Sequence, residues 1–209
     1  MIRWLGAGLG FLGLFVALGL AVAKHPLGVD LAVTGAFEGL WRGTVGSVTN
    51  VVSNLVGLVL PAAVMLGVLV GAILAWYRNL RPQAWIALRV LLVFGVARLT
   101  SWVAKPIFLR ERPRAYSEFS YPSGHVVAIA SAGLAVVLLC RWLAPALTRR
   151  AALVSALLTV LVALTRLILG VHWLSDTVGA MLGVLGTGLL GAVVLRLLPG
   201  PVPAPAAAA

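Results

Sequence analysis

Three short polar islands stand in a chain that is otherwise almost wholly apolar. Lys105 is followed, six residues on, by Arg112-Pro113. Pro122-Ser123-Gly124-His125 comes next, then Arg166, His172 and Asp176 with five and three residues between them. Together they offer three fixed cations, two histidines and a carboxylate. Phosphoryl transfer spreads charge over the equatorial oxygens, so its catalysis is largely positioning and electrostatics. Lys105, Arg112 and Arg166 could surround those oxygens, arginine as a bidentate fork and lysine as a point charge. His172 and Asp176 are four apart and share a face if a helix begins near Trp173. A carboxylate on one imidazole nitrogen fixes the tautomer and leaves the other nitrogen as a nucleophile. Ser123 suits a helix N-cap, Gly124 lets backbone approach a ligand, and N-terminal amides of a helix bind phosphate. His125 at that helix start could protonate a leaving alkoxide. The inventory suits cleavage of a phosphate ester by a histidine nucleophile. Taken singly, five of these residues also have a plainer reading: Lys105 and Arg112 as headgroup contacts, Ser123 and Asp176 as helix caps, His125 as an interfacial histidine.

Metal chemistry fits this inventory poorly. The acids that share a face with the islands are Glu111, Glu118 and Asp176, set among cations, whereas magnesium phosphatases need carboxylates. No cofactor and no metal site are expected.

The elements that must position these residues are membrane helices. Of 209 residues, 62% are hydrophobic and only 10% charged, against about 25% charge in a soluble domain. A bilayer core takes roughly 20 apolar residues per helix. Runs of that kind cover 5–23, 56–77, 85–104, 126–143, 151–169 and 177–195. The first ends in Ala21-Val22-Ala23, which resembles a signal-peptidase site, but its apolar run exceeds a typical signal core; a retained helix is expected. Positions 24–54 are mixed, with Pro26, Asp30, Glu38 and Arg42, and suit a loop with a short interfacial helix. Positions 105–121 read as a polar loop. The fold expected is all-α: six transmembrane helices with a short interfacial helix between the first two. It forms one domain over 1–198, with a disordered proline- and alanine-rich tail over 199–209. The lone Cys140 excludes an internal disulfide. The formal net charge of +11 fits arginines facing anionic headgroups rather than nucleic acid. Oligomeric state has no signature here.

Six spans place both termini on one side. That side carries the N-terminus, Arg78, Arg81, Arg149, Arg150 and Arg196, and is cytoplasmic by the positive-inside rule. The chain is thus expected to be a multi-pass protein of the cell membrane. Lys105 leaves the third span, His125 enters the fourth, Arg166 leaves the fifth and Asp176 enters the sixth. All four fall on the extracytoplasmic face, so the islands can meet in one site. Arg166 follows a long apolar run, where an ionised side chain is a functional hypothesis by default. Arg89 lies near the cytoplasmic interface, within snorkelling reach. Arg98 lies nearer the site face, as a structural or supporting cation.

The three islands resemble the tripartite signature of the type 2 phosphatidic acid phosphatase superfamily: Lys-x6-Arg-Pro, Pro-Ser-Gly-His and Ser-Arg-x5-His-x3-Asp. Order and spacing match from Lys105 to Asp176, about a third of the chain; Thr165 stands where the family usually has serine. The resemblance implies that His172 attacks phosphorus, Asp176 orients it, and His125 protonates the departing oxygen and then activates water. It implies that Lys105, Arg112, Ser123, the Gly124 amide and Arg166 hold the phosphate oxygens. The expected partners are membrane lipids and a lipid phosphate or pyrophosphate: undecaprenyl pyrophosphate, phosphatidylglycerol phosphate or phosphatidic acid. The expected reaction is metal-independent hydrolysis with a bell-shaped pH profile. A lipid-to-lipid phosphotransferase and a transporter of anionic lipid or phosphate are the rival readings.

Overall fold

The computed structural model describes residues 1–115 and 118–200. Its helices are α1 (Ile2–Val22), α2 (Gly28–Ala36), α3 (Gly43–Asn54), α4 (Leu60–Tyr77), α5 (Arg81–Phe108), α6 (Gly124–Leu143), α7 (Thr148–Ile168) and α8 (Leu174–Val194). Among the described residues there is no strand. Six segments are long and apolar enough to cross a membrane: α1, the α3–α4 rod, α5, α6, α7 and α8. The short α2 is the expected helix between the first two spans.

Two boundaries differ from the hydropathy reading. The second span begins at Gly43, not 56, because a π-helical turn, Leu55–Val59, joins α3 to α4 in one rod of 35 residues. At 1.5 Å per residue the rod is roughly 50 Å long, well beyond a hydrocarbon core of about 30 Å. Its first turns are too polar to register as a span, yet the helix continues through them. The third span runs on to Phe108, so Lys105 sits in the last turn of α5 and not in a loop. Leu109 then adopts a left-handed conformation (φ 50°) that ends α5.

α8 is the most buried span, packed against α1, α5 and α6; α6 packs in turn on α7. Lipid-facing positions such as Leu66, Leu92 and Leu157 are exposed and apolar, as a bilayer solvent requires. Small residues let the inner helices approach closely. A Cβ at Gly186 would lie 2.8 Å from the Leu12 amide nitrogen of α1. The expected tail begins at 199, where the Pro199 carbonyl accepts a hydrogen bond from Arg141 Nε at 3.1 Å; positions 201–209 lie outside the described residues.

An aromatic cluster fixes the entry to α6. Tyr121 is fully buried, stacked on Phe15 of α1 (5.3 Å) and edge-on to Phe108 of α5 (5.1 Å). Its hydroxyl donates to the Phe15 carbonyl at 2.6 Å, and burial pushes that hydroxyl above its ordinary range, so it remains a donor. A Cβ at Gly179 of α8 would drive into the Tyr121 ring. Gly179→Val is therefore expected to destabilise the protein by about 1–3 kcal/mol, seen as a lower unfolding temperature in detergent. Gly95→Ala, which meets nothing within 4 Å, should leave that temperature unchanged or higher.

Candidate active site

The three islands converge at one end of the bundle. A cavity of about 500 Å³ is lined by Lys105, Arg112, Gly124, His125, Arg166 and His172, with Arg98, Ser101, Trp102, Leu58 and Glu118 completing its wall. Ser123 and Asp176 stand behind that surface, both fully buried.

His172 lies in the turn between α7 and α8 and is 2% exposed. Gly170, with φ 62°, ends α7 and makes the turn possible. Trp173 is the N-cap of α8, and Asp176 at the third helical position accepts the Trp173 amide at 2.8 Å. The same carboxylate oxygen, Oδ2, is 3.2 Å from His172 Nδ1. Asp176 is thus both a helix cap and the histidine's partner; the two readings describe one placement. On the other side, Arg112 Nη1 is 3.2 Å from His172 Nε2. A guanidinium only donates, so Nε2 accepts, and the ring proton sits on Nδ1, facing Asp176. Burial holds His172 well below its usual range, aided by the charges of Arg166, Arg112 and Lys105. The imidazole is therefore neutral with its lone pair toward the cavity.

The cations are held by carbonyls, one acid and a serine hydroxyl. Arg112 Nε donates to the Glu118 carbonyl at 2.6 Å, and Nη1 to the Val171 carbonyl at 2.9 Å. Lys105 Nζ donates to Glu118 Oε2 at 2.7 Å. That hydrogen bond and the charge of Lys105 hold the Glu118 carboxyl below its usual range. The Glu118 side chain is 65% exposed, so an incoming anion can displace it at little cost. Arg166 is 6% exposed, and its Nη1 donates to Ser53 Oγ at 3.2 Å.

Ser123 occupies the N-cap position of α6, but its hydroxyl makes no cap bond and has no partner among the described residues. A buried hydroxyl left without a partner costs about 1–3 kcal/mol. The Ser123 hydroxyl and the Gly124 amide are donors at a helix start, the kind of group that can bind an anion. His125 Nε2 is 3.1 Å from Asn54 Oδ1, a pair in which the ring nitrogen donates. Thr165, in the place of the family serine, donates to the Val162 carbonyl within its own helix at 2.7 Å.

Several supporting residues escape a motif reading. Arg110 is 2% exposed and bridges two fully buried carboxylates: Asp176 Oδ1 at 2.6 Å and Asp30 Oδ2 at 2.8 Å. Ser175 joins them, accepting from Arg110 and donating to Asp30 through its hydroxyl at 2.6 Å and its amide at 2.9 Å. Burial would raise the Asp30 carboxyl, but hydrogen bonds from Ser175, Arg110 and the Leu27 amide outweigh it and hold it below its usual range. Ser53 and Asn54 reach the site from the end of α3, where Gly57 lets the rod lie against His125: a Cβ there would be 3.0 Å from His125 Cδ2. Two signals for these residues were present. Counting spans puts 24–54 on the same face as the islands, so Asp30 and Glu38 join Glu111, Glu118 and Asp176 there, and Asp30 is one of only five acids in the chain.

A family model described as the PAP2 superfamily matches residues 56–198. The chain belongs to the PAP2 superfamily. It is 34% identical over 120 residues to a protein named phosphatidylglycerophosphatase B from Bacillus subtilis (strain 168); the match takes in 54% of this chain and spans 57% of the relative's length. It also resembles the crystal structure of a transmembrane PAP2-type phosphatidylglycerolphosphate phosphatase from Bacillus subtilis. There the TM-score is 0.69 at 26% identity, over 90% of this chain and 94% of that one. The PAP2 match contains Lys105, Arg112, Ser123, Gly124, His125, Arg166, His172 and Asp176 but begins after Asp30, Ser53 and Asn54. Those three supports therefore enter the PAP2 site from the part of the chain ahead of the match.

Arg110→Met would leave Asp30 and Asp176 buried without their cation. Breaking such a pair costs about 3–5 kcal/mol. A matching fall in unfolding temperature and loss of the monodisperse peak in detergent are expected; a variant as stable as the parent would show that the bridge is dispensable.

Proposed function

We propose that this chain is a lipid phosphatase that removes a terminal phosphate through a phosphohistidine intermediate, at the extracytoplasmic face of the cell membrane. The observation that carries this reading is the state of His172. It is neutral, its tautomer is set by Asp176 on one nitrogen and Arg112 on the other, and the Nε2 lone pair that accepts from Arg112 borders a pocket of cations and is released when Arg112 turns to the substrate phosphate. The sidedness rests on the arginines that cluster at the other ends of the spans.

The substrate phosphate takes the place of the Glu118 carboxylate against Lys105 and Arg112. Arg166, the Ser123 hydroxyl and the Gly124 amide complete its binding. His172 Nε2 forms a bond to phosphorus as the bond to the lipid oxygen breaks. Asp176 stabilises the positive charge that develops on the ring. The departing oxygen takes a proton from His125. Water then gives a proton to His125 as its oxygen bonds to phosphorus, the P–N bond breaks, and the electron pair returns to Nε2. Free phosphate leaves and the site is restored. None of these steps calls on a metal ion, and among the described residues no three His, Cys, Asp or Glu side chains are grouped to hold one.

Phosphatidylglycerophosphate is the first substrate to assay, because similar proteins carry that name. Phosphate release in excess EDTA is expected from the parent chain, and His172→Ala should lower it at least a thousandfold, the scale on which loss of a covalent nucleophile acts. Undiminished turnover in that variant would remove the nucleophile assignment. Phosphate found on a second lipid rather than free in solution would turn the reading to a phosphotransferase, and lipid or phosphate flux surviving the substitution to a transporter.

The pH profile carries a signed expectation. Because the His172 pKa is depressed, the nucleophile stays unprotonated well below pH 6.5. The acid limb of kcat/KM, which reports the free enzyme, should therefore lie well under pH 6.5 instead of centring on it. Lys105→Gln removes one of the depressing charges and should move that limb upward.

A further inference from the structure

One cation in the cavity takes no part in the steps above. Arg98 lies on α5 at the third and seventh positions before Ser101 and Lys105, so the three share one helical face, and all three line the cavity. Two turns separate Arg98 from Lys105, which sets it roughly 10 Å deeper along the helix. It is half-buried. Its one hydrogen bond among the described residues is a long one, to Ser101 Oγ at 3.4 Å, and it has no ion pair among them. An arginine within a span is costly and faces an interior partner or a water-filled path. Here it faces the substrate cavity with no carboxylate to balance it.

Depth decides which part of a ligand would reach it. Lys105 lies in the last turn of α5, at the end of the bundle where the islands converge, and Arg112 follows it in the loop beyond. A lipid enters with its terminal phosphate there and its tail in hydrocarbon. Whatever follows the scissile phosphate toward the tail must therefore lie deeper, along the α5 wall, with Leu58 and Trp102 as the apolar sides of the path. An arginine fork beside a serine hydroxyl is suited to a second phosphate oxygen pair.

On the phosphatase reading given above, we infer that Arg98 and Ser101 form a second anion subsite on the leaving-group side, which selects lipid phosphates carrying a further negative charge between the scissile phosphate and the tail. Two chemistries supply that charge. In an isoprenyl diphosphate the second phosphate is joined through one shared oxygen. In phosphatidylglycerophosphate a phosphodiester follows across a glycerol. Phosphatidic acid has neither, since its leaving group is a neutral diacylglycerol.

The test compares kcat/KM of the parent and of Arg98→Gln on those three lipids in detergent. A loss of tenfold or more is expected on at least one of the two-anion lipids, with less than threefold on phosphatidic acid. The lipid showing the larger loss names the source of the second charge. Equal losses on all three, as a merely structural arginine would give, or no loss on any, would overturn the subsite. A second measurement needs no variant. Methylenebisphosphonate, with two anionic groups, should raise the unfolding temperature of the parent protein at concentrations at least tenfold lower than methylphosphonate. Equal effects would overturn the subsite as well. A parent enzyme that released phosphate from none of the three lipids would instead defeat the phosphatase reading, and the phosphonate comparison would still decide for or against the subsite.

Discussion

The Arg110 guanidinium, held between Asp30 and Asp176, is the interaction on which the site depends. It joins the loop after α5 to the helix that follows the first span and to the start of the last span. Two carboxylates at that depth could not both remain ionised without a cation between them. With it, Asp176 has one oxygen committed to Arg110 and the other free for His172 and the Trp173 amide. A carboxylate so tethered cannot swing away from the imidazole. The orientation of His172 is thus set by a chain of contacts that begins 142 positions earlier, at Asp30.

The aromatic cluster performs the same service for the second island. Tyr121 is locked by Phe15, Phe108 and the bare face of Gly179. The residue that introduces Pro122-Ser123-Gly124-His125 is thereby pinned to three spans at once. Close packing of this kind holds the entry to α6 in place, so the Gly124 amide at the start of that helix is fixed relative to the cavity that Gly124 lines. Preorganised donors of that sort stabilise developing charge most effectively where water is excluded. Polar groups concentrate at this one end, while the lipid-facing sides of the spans remain apolar, and the distribution allows a charged headgroup and an apolar tail to be handled together.

How much of this was legible followed from the range of each signal. Apolar runs report spans because the bilayer demands about 20 residues of one kind in a row, and six were found at nearly their true places. Helix ends were less legible. The polar first turns of the α3–α4 rod carry no hydropathy signal, and Lys105 looks like loop because it is charged, although α5 continues past it to Phe108. The eight motif residues could be named because their spacing is local. Asp30, Ser53 and Asn54 could not, since each acts on a partner more than 70 positions away along the chain. Arg110 sits between the two defining residues of the first island, yet its role becomes visible only when both carboxylates are in place.

The sequence by itself determined that the chain crosses a membrane six times, that three islands fall on one face, and that His172 has Asp176 one helical turn away. These are consequences of hydropathy, parity and helical period, all readable along a line. Tertiary structure alone decided which nitrogen of His172 carries the proton, which carboxylate Lys105 holds, and that the Ser123 hydroxyl makes no cap bond. It also decided that Arg98 looks into the same cavity as the nucleophile. Those outcomes depend on the direction and depth of side chains from different spans, which only packing fixes.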